Sequence, residues 1–553
     1  MRSLVPVQYD SRKAFAPTGF LIVSLFAIGA FAQEYTIRTL ATDATGTGVA
    51  IDAAGNVYYP SFFGRQITRL SPDGRRSIFA GRVFGAGYSL GDGGRATDAT
   101  FSMATALTTD SAGNLYVYDD RVIRKIDRNG IISTVAGSGA PVPTTAVGSG
   151  IPATALQLHV QVSSGIAADG AGNLWVACSG YPALFRIAGG IASIFAGLGG
   201  QDLGATPPAG YSGDGGPARA ALLSLPNDVA IDGRGNLWIL DAERIRQIDP
   251  TGVIRTIAGP PALRTFSPLG VAADGSGNVF VADSGGGRIL RIAAGGAITT
   301  VAGGGTHGED GYEGPATGAL LSFPKQMAVD AAGNLYFASQ HDATVRKLTP
   351  VPVPAIAAGG IVHAASLQTG PLAPGTIIRI SGANLQGGRV LIGGTNAAVL
   401  SGTNTEIRAV IPLDAALGSA DVVVQVETRR SAAQRIVLVE SAPALFSLDG
   451  SGKGQGAILN SDTALNSPAR PAAPGDSVVL FGTGAGRALA DAFEVTIGGN
   501  AARVIYAGPA PGEAAGVFQV NAEVPVQAAP GSLPVVVKVG AASSPATVTL
   551  AVR

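Results

Sequence analysis

A turn of the form Asp-x-x-Gly-Asn-(Leu/Val)-aromatic occurs six times, starting at Asp52, Asp110, Asp169, Asp232, Asp274 and Asp330. Internal repetition at this spacing constrains a chain more than its composition does, because each unit must bury its apolar face against the next. Each turn is preceded by a short apolar stretch such as Val49-Ala50-Ile51 or Val229-Ala230-Ile231. Another stretch, such as Leu115-Tyr116-Val117 or Leu237-Trp238-Ile239, follows it. Asp bonds back to the turn backbone, Gly tolerates positive φ and Asn suits the exit, so each copy reads as a tight hairpin. A third strand follows, with apolar residues alternating with Arg, Lys or Gln: Ile67 to Leu70, Ile123 to Ile126, Leu184 to Ile187, Ile245 to Ile248, Ile289 to Ile292 and Val345 to Leu348. A fourth strand ends in Ala-Gly at Gly81, Gly137, Gly197, Gly259 and Gly303.

Four strands repeated six times make the pattern of propeller blades. The sixth unit stops at Leu348-Thr349-Pro350 without its fourth strand. Near the other end of the sequence, Tyr35 to Ala41 resembles Val253 to Ala258. That segment is expected to complete blade six and close the ring, which protects sheet edges as an open solenoid would not.

These residues resemble the NHL repeat family over about residues 34 to 349. The bacterial form of that family also carries Gly-Asp-Gly-Gly-Pro-Ala before the next blade. Gly213 to Ala218 matches it fully, Gly91 to Gly94 partly, and Gly311 to Ala316 loosely. The resemblance implies a propeller that binds proteins, RNA or small ligands, and the fold alone names no partner.

Pro350 to Pro354 reads as a stiff linker. Beyond it a second duplication begins. Ala373-Pro374-Gly375, Ile377 to Ile380, Val390 to Gly394 and Ile407 to Pro412 are echoed by Ala473-Pro474-Gly475, Val478 to Phe481, Val495 to Gly499 and Val520 to Pro525. Each copy has the size of an immunoglobulin-like sandwich. The first copy, with Gly382-Ala383-Asn384-Leu385, resembles an IPT/TIG module. Ile361 to Ser366, Ser441 to Phe446 and Gln519-Val520-Asn521 resemble an uncharacterised region at the ends of large exported proteins of environmental bacteria. Both resemblances imply an accessory or spacer role.

The expected fold is therefore all-β: a six-bladed β-propeller closed by its N-terminal strand, followed by two immunoglobulin-like β-sandwich domains. The expected boundaries are a signal peptide at 1–32, the propeller at 33–349, the linker at 350–354 and sandwiches at 355–440 and 441–553. The signal peptide is read from Arg2, Arg12 and Lys13 ahead of an apolar run from Phe20 to Phe31, with small residues flanking a cut after Ala32. The run falls short of the ~20 residues that span a bilayer, so no membrane span is expected after cleavage. Secretion, to the periplasm, the cell surface or the medium, is the expected destination. Lys+Arg and Asp+Glu both number 38, which gives no electrostatic reason to expect nucleic acid. The lone Cys178 excludes an intramolecular disulfide.

Connectors of about 82 to 104, 138 to 164, 198 to 226 and 304 to 324 are long, and long loops usually have a use. They emerge on the same face as the second-to-third strand turns, and that face is the expected binding surface. Asp92, Asp214 and Asp310 sit there in Gly-rich segments. A calcium or ligand role is conceivable, yet no Asp-x-Asp-x-Asp array accompanies them, and turn formation explains them better. The six repeat aspartates read as structural. His159, His307 and His341 fall on the same face, as a three-histidine zinc site would need. Related propellers, the peptide-amidating lyases, use histidines around a metal, but the spacing here is not theirs and no Arg/Tyr constellation aligns. Cys178 has no base within sequence reach and reads as a packed small residue. Arg69, Arg186 and Arg291 fit solvated or blade-bridging positions. No His-Glu-x-x-His, no phosphate-binding Gly-Lys-Ser/Thr loop and no Gly-x-Gly-x-x-Gly in a βαβ context is present.

The expected function is that of a monomeric, exported, non-catalytic binding or scaffold protein, without cofactor or metal. Its loop-rich face would recognise a protein, peptide or glycan. The candidate contact set on that face is Asp92, Asp214, Asp310, His307 and His341. The alternative is a metal-dependent propeller enzyme, a lyase or a lactonase-like hydrolase.

Overall fold

A computed structural model describes residues 34–45, 47–83, 89–139, 150–158, 165–180, 182–197, 210–260, 267–305 and 313–553. The expected signal peptide, His159, His307 and Asp310 lie outside the described residues. Among those described, no helix is long and apolar enough to cross a membrane.

The Asp-centred turns explain why the strands pair as they do. In the fourth copy, Oδ1 of Asp232 accepts the backbone N–H groups of Arg234 and Asn236 at 2.9 and 3.0 Å. Its Oδ2 accepts Nδ2 of Asn236 at 2.8 Å and the indole N–H of Trp238 at 3.0 Å. Gly235 supplies the left-handed backbone, with φ of 82°. In all six copies the Asn amide at the turn's exit donates to the Asp carboxylate four residues before it. Asn is therefore a lock on the turn. The aromatic completes the lock in four copies, through the hydroxyls of Tyr58, Tyr116 and Tyr336 and the indole of Trp238.

Six antiparallel sheets result among the described residues up to Pro350. Blade 1 contains Ala50–Ile51, Val57–Ser61, Gln66–Leu70 and Arg76–Ala80. Blade 2 contains Ala104–Thr109, Leu115–Asp119, Val122–Ile126 and Ile132–Ala136. The first strands of blades 3 to 6 are Ile166–Ala168, Pro226–Ile231, Pro268–Ala273 and Pro324–Val329. These six innermost strands neighbour one another in an unbroken cycle, blade 6 returning to blade 1. The strand Tyr35–Ala41 pairs antiparallel with Thr344–Pro350, from Tyr35 opposite Pro350 to Ala41 opposite Val345. The N-terminal segment thus supplies the outer strand of blade 6, and Tyr35 and Ile37 are buried in the core between blades 5 and 6.

The long connectors depart from the expectation that they simply build one face. On blade 2 the connector descends the outer edge, where Gly93 N–H donates to Ile132 O at 2.8 Å and Ile132 N–H to Gly94 O at 3.1 Å. Blade 4 repeats this with Gly215, Gly216 and Ile254. On blades 3 and 6 the same stretch forms short edge strands, Ile151–Pro152 and Gly314–Pro315. The Gly-Asp-Gly-Gly-Pro-Ala motif is therefore an edge cover for the fourth strand. Its last residue, Ala96, Ala153, Ala218 or Ala316, is buried between blades.

Beyond the propeller, the chain folds around two further cores. Residues 355–438 form one continuous eight-stranded sheet that turns over on itself through Thr395–Gly402, enclosing Ile378, Val390, Ile407 and Val424. The next stretch, up to Val552, forms two sheets that share a core including Leu480, Ile497, Val520 and Val537. The Pro-rich stretch is tied at several points. Val351 N–H donates to Glu34 O, Arg429 Nη1 to Pro352 O and Asn384 Nδ2 to Val353 O.

Candidate functional site

The six innermost strands surround a central channel of about 220 Å³. One layer of it is filled by two polar side chains. The residue preceding the inner apolar position is Gly48, Ala106, Gly165, Asp228, Gly270 and Gln326 from blade 1 to blade 6. Asp228 is 4% exposed. Its Oδ1 accepts Val229 N–H and its Oδ2 accepts Val271 N–H, both at 2.9 Å, so one carboxylate joins blades 4 and 5. Gln326 reaches further. Its Oε1 accepts Val49 N–H at 3.1 Å and Leu107 N–H at 3.0 Å, and its Nε2 donates to Leu107 O at 3.1 Å. Blade 6 is thereby bonded to blades 1 and 2. The glycines make the room: a Cβ at Gly165 would lie 1.8 Å from Asp228 Oδ1, and one at Gly48 would lie 2.9 Å from Gln326 Oε1. Burial pushes the Asp228 carboxyl up to about 7, against the opposing pull of its two backbone donors.

Above this layer, each first strand of blades 2, 4, 5 and 6 carries a one-residue register shift, between Ala104/Ala106, Pro226/Asp228, Pro268/Gly270 and Pro324/Met327. Bulges of this kind re-aim side chains at the rims of sheets. The residues set there are Thr105, Asn227, Leu269 and Lys325. Lys325 is 5% exposed and ion-pairs with no carboxylate among the described residues. Burial alone lowers its pKa from the ordinary lysine value.

The same face carries an exposed aromatic turn. In blade 1 the second-to-third turn places Phe62 and Phe63 in the left-handed region, with φ of 48° and 58°. They are 47% and 83% exposed and meet edge to face at 5.8 Å. Equivalent turns put only a small or polar residue there, Asp120, Ala242 or Ala343. Bulky left-handed residues cost roughly 1 kcal/mol or more each, and such strain persists where the surroundings or function demand it. The two rings wall a hollow of about 580 Å³ together with Met103, Thr47, Thr105 and Ala343. Thr105 is the bulge residue of blade 2, so the apolar hollow and the channel mouth adjoin.

The residues singled out from sequence have other places. Asp92 Oδ1 accepts Arg124 Nη2 at 2.7 Å and its Oδ2 accepts Thr134 N–H at 2.9 Å. Asp214 Oδ1 accepts Arg246 Nη2 at 2.6 Å. Both arginines are fully buried third-strand residues that also donate to connector carbonyls. For both aspartates burial works upward but is outweighed by these bonds, which hold the carboxyls below the usual range. Each clamps its connector to its own blade. His341 lies exposed in the blade 6 turn with its ring stacked on Phe323 at 4.6 Å. Cys178 is buried at the end of its strand. Arg69 and Arg186 lie over the rings of Phe79 and Trp175, and Arg291 donates to Asn278. No group of three or more His, Cys, Asp or Glu suited to a metal occurs among the described residues.

Sequence reasoning missed Phe62, Phe63, Asp228, Lys325 and Gln326. The available signal was departure from the repeat: Pro-Asn-Asp and Pro-Lys-Gln interrupt otherwise apolar or small first strands, and Phe-Phe-Gly sets two adjacent aromatics in a turn that elsewhere holds at most one, Tyr181.

The strand order, the closing strand and these sites define an NHL-type propeller carrying immunoglobulin-like modules. Comparison with known proteins agrees: residues 85–175 and 191–274 match the Teneurin NHL domain family, and residues 361–437 match the IPT/TIG domain family. The chain thus carries a region matching the NHL propeller family and a region matching the IPT/TIG family. It is 28% identical over 231 residues to human (Homo sapiens) Teneurin-4, covering 36% of this chain and 8% of that protein. Over 71 residues it is 39% identical to Teneurin-1 of Gallus gallus, covering 12% of this chain and 3% of that one. The chain thus spans less than a tenth of the length of these relatives. Similar solved structures include a streptogramin B lyase at 15% identity and TM-score 0.38, covering 57% of this chain and 98% of that one. An auxiliary nutrient binding protein from Bacteroides thetaiotaomicron follows at 11% identity and TM-score 0.39, covering 57% and 76%.

Proposed function

We propose that this chain is an exported, monomeric binding protein whose propeller recognises an apolar segment of a protein or peptide on its loop-rich face. The sandwiches serve as spacer modules. The observation that carries this reading is the Phe62–Phe63 turn, where two aromatic rings are held in strained backbone and left open to solvent beside a hollow. Aromatic residues and Met are the side chains that dominate recognition hot spots and adaptable binding surfaces. The Asp228 and Gln326 plugs favour recognition at the mouth, because both side chains are engaged with backbone groups of neighbouring blades. The match to an NHL domain family supports a binding role at the level of the fold.

A random peptide library panned on the purified mature protein tests this. Enriched peptides are expected to bind the wild type and to lose about tenfold or more in affinity on Phe62→Ser/Phe63→Ser, the effect of removing a hot spot. Equal binding by the double variant overturns the reading. A stoichiometric zinc removed by mutating His307 and His341 together would overturn it in favour of a metal-dependent enzyme.

A further inference from the structure

We infer that Lys325 is the receptor for a carboxylate, so that the segment bound at the mouth carries an acidic group beside its apolar anchor. This rests on the peptide-binding reading above and narrows it to a class of ligand. Lys325 stands at the bulge of the blade 6 first strand, where its main chain is pressed against blade 5: a Cβ at Gly270 would lie 2.2 Å from Lys325 O. The position of its main chain is thereby fixed against blade 5. Its side chain is almost wholly withdrawn from solvent, and among the described residues it has no carboxylate partner.

Two fully buried arginines of this propeller are paired with carboxylates, Arg124 with Asp92 and Arg246 with Asp214. Lys325 has no such partner among the described residues. Placing a cation in a low-dielectric site without a counter-charge is unfavourable, and an anion delivered by a ligand removes the penalty. The desolvated site also strengthens the attraction relative to bulk water.

The geometry next to Lys325 says what carries the anion. Gln326, the following residue, bonds to Val49 of blade 1 and Leu107 of blade 2. Lys325 thus adjoins the residue that spans to blades 1 and 2, at the same end of the propeller as Thr47 and Thr105, which line the Phe62–Phe63 hollow. The hollow is lined by Phe, Met and Ala side chains together with Thr45, Thr47, Thr105 and Asp43, the last already engaged by Tyr59 and Arg76, and its two exposed rings suit an aliphatic or aromatic peptide side chain. A carboxylate a few bonds from such a side chain is supplied by an Asp or Glu neighbour or by a peptide's own C-terminus.

Three synthetic hexapeptide libraries separate these sources: free C-terminus without Asp or Glu, amidated with Asp or Glu, and amidated without either. Wild-type protein is expected to retain one or both carboxylate libraries over the neutral one by about tenfold or more, as removal of one partner of a desolvated charge pair implies. Lys325→Met, which keeps an unbranched side chain, is expected to abolish the preference while leaving Phe62-dependent binding of the neutral library intact. Lys325→Arg is expected to restore part of the preference, and thermal melting of each variant establishes that it is folded. Neutral peptides bound as well as acidic ones, or a preference unmoved by Lys325→Met, would overturn the assignment while leaving the peptide-binding reading standing. No library retained, with an oligogalacturonate bound instead, would overturn both.

Discussion

The two ends of the blades differ in how far their residues repeat. At the end carrying the first-to-second turns, Asp52, Asp110, Asp169, Asp232, Asp274 and Asp330 all accept the same Asn amide in the same geometry. At the other end, the second strands finish in Ser61, Asp119, Cys178, Asp241, Asp283 and Ser339, and the turns after them share no sequence. Repetition marks the end that holds the sheets together. Divergence marks the end free to acquire a ligand, since a rigid scaffold lets its loops vary.

The comparison breaks most visibly at the repeating end. Asp232→Ala removes the acceptor for four donors, including a buried indole, and is expected to cost about 4 kcal/mol in chemical denaturation. Binding by the folded fraction should be unchanged. Burial raises the Asp232 carboxyl but its hydrogen bonds lower it further, so it stays below the ordinary value. The stability it supplies is therefore present above the unfolded pKa and is lost as pH falls through the folded one. The gap between wild type and variant should close in acid.

The sandwiches should respond to acid earlier. His363 donates through Nε2 to Ala442 O at 3.1 Å, and burial, opposed by backbone carbonyls, lowers it to about 4. Between about 6.5 and about 4 the unfolded chain takes up a proton that the native ring refuses, so stability falls as pH drops through this window. A loss of roughly 3 kcal/mol by pH 4 is expected for the C-terminal cores, read by denaturation at each pH, and His363→Phe should flatten the profile.

A smaller effect sharpens the account of the channel. Gly165→Ala drives a methyl into Asp228 and is expected to cost roughly 2 kcal/mol. Adding Asp228→Ala should make the pair less damaging than the sum of the single changes. Strict additivity would show that the two positions do not meet. Smallest is Phe63→Gly, expected to raise stability by up to about 1 kcal/mol by relieving a left-handed aromatic, while weakening peptide binding. Opposite signs in stability and affinity are what a functional strain implies.

Much of this fold was legible because it repeats. The Asp-x-x-Gly-Asn turn, the alternating third strand and the displaced fourth strand at Tyr35–Ala41 are local patterns, each confirmed by its neighbours in sequence. The candidate site was less legible for the converse reason. Asp228 meets Gly165 and Val271, and Gln326 meets Val49 and Leu107, contacts between residues of different blades. Asp92 and Asp214 illustrate the same limit. Their Gly-rich setting suggested turn formation, whereas their carboxylates engage Arg124 and Arg246, each 32 positions further on.

Amide hydrogen exchange of the mature protein, with and without a peptide selected on it, tests the assignment of the recognition surface most directly. Added protection is predicted in the segments around Phe62–Gly64, Met103–Thr105 and Lys325, and unchanged exchange at the turns around Asp52 and Asp110. Protection appearing at those Asp turns or in the sandwiches, with Phe62–Gly64 unaffected, would contradict it.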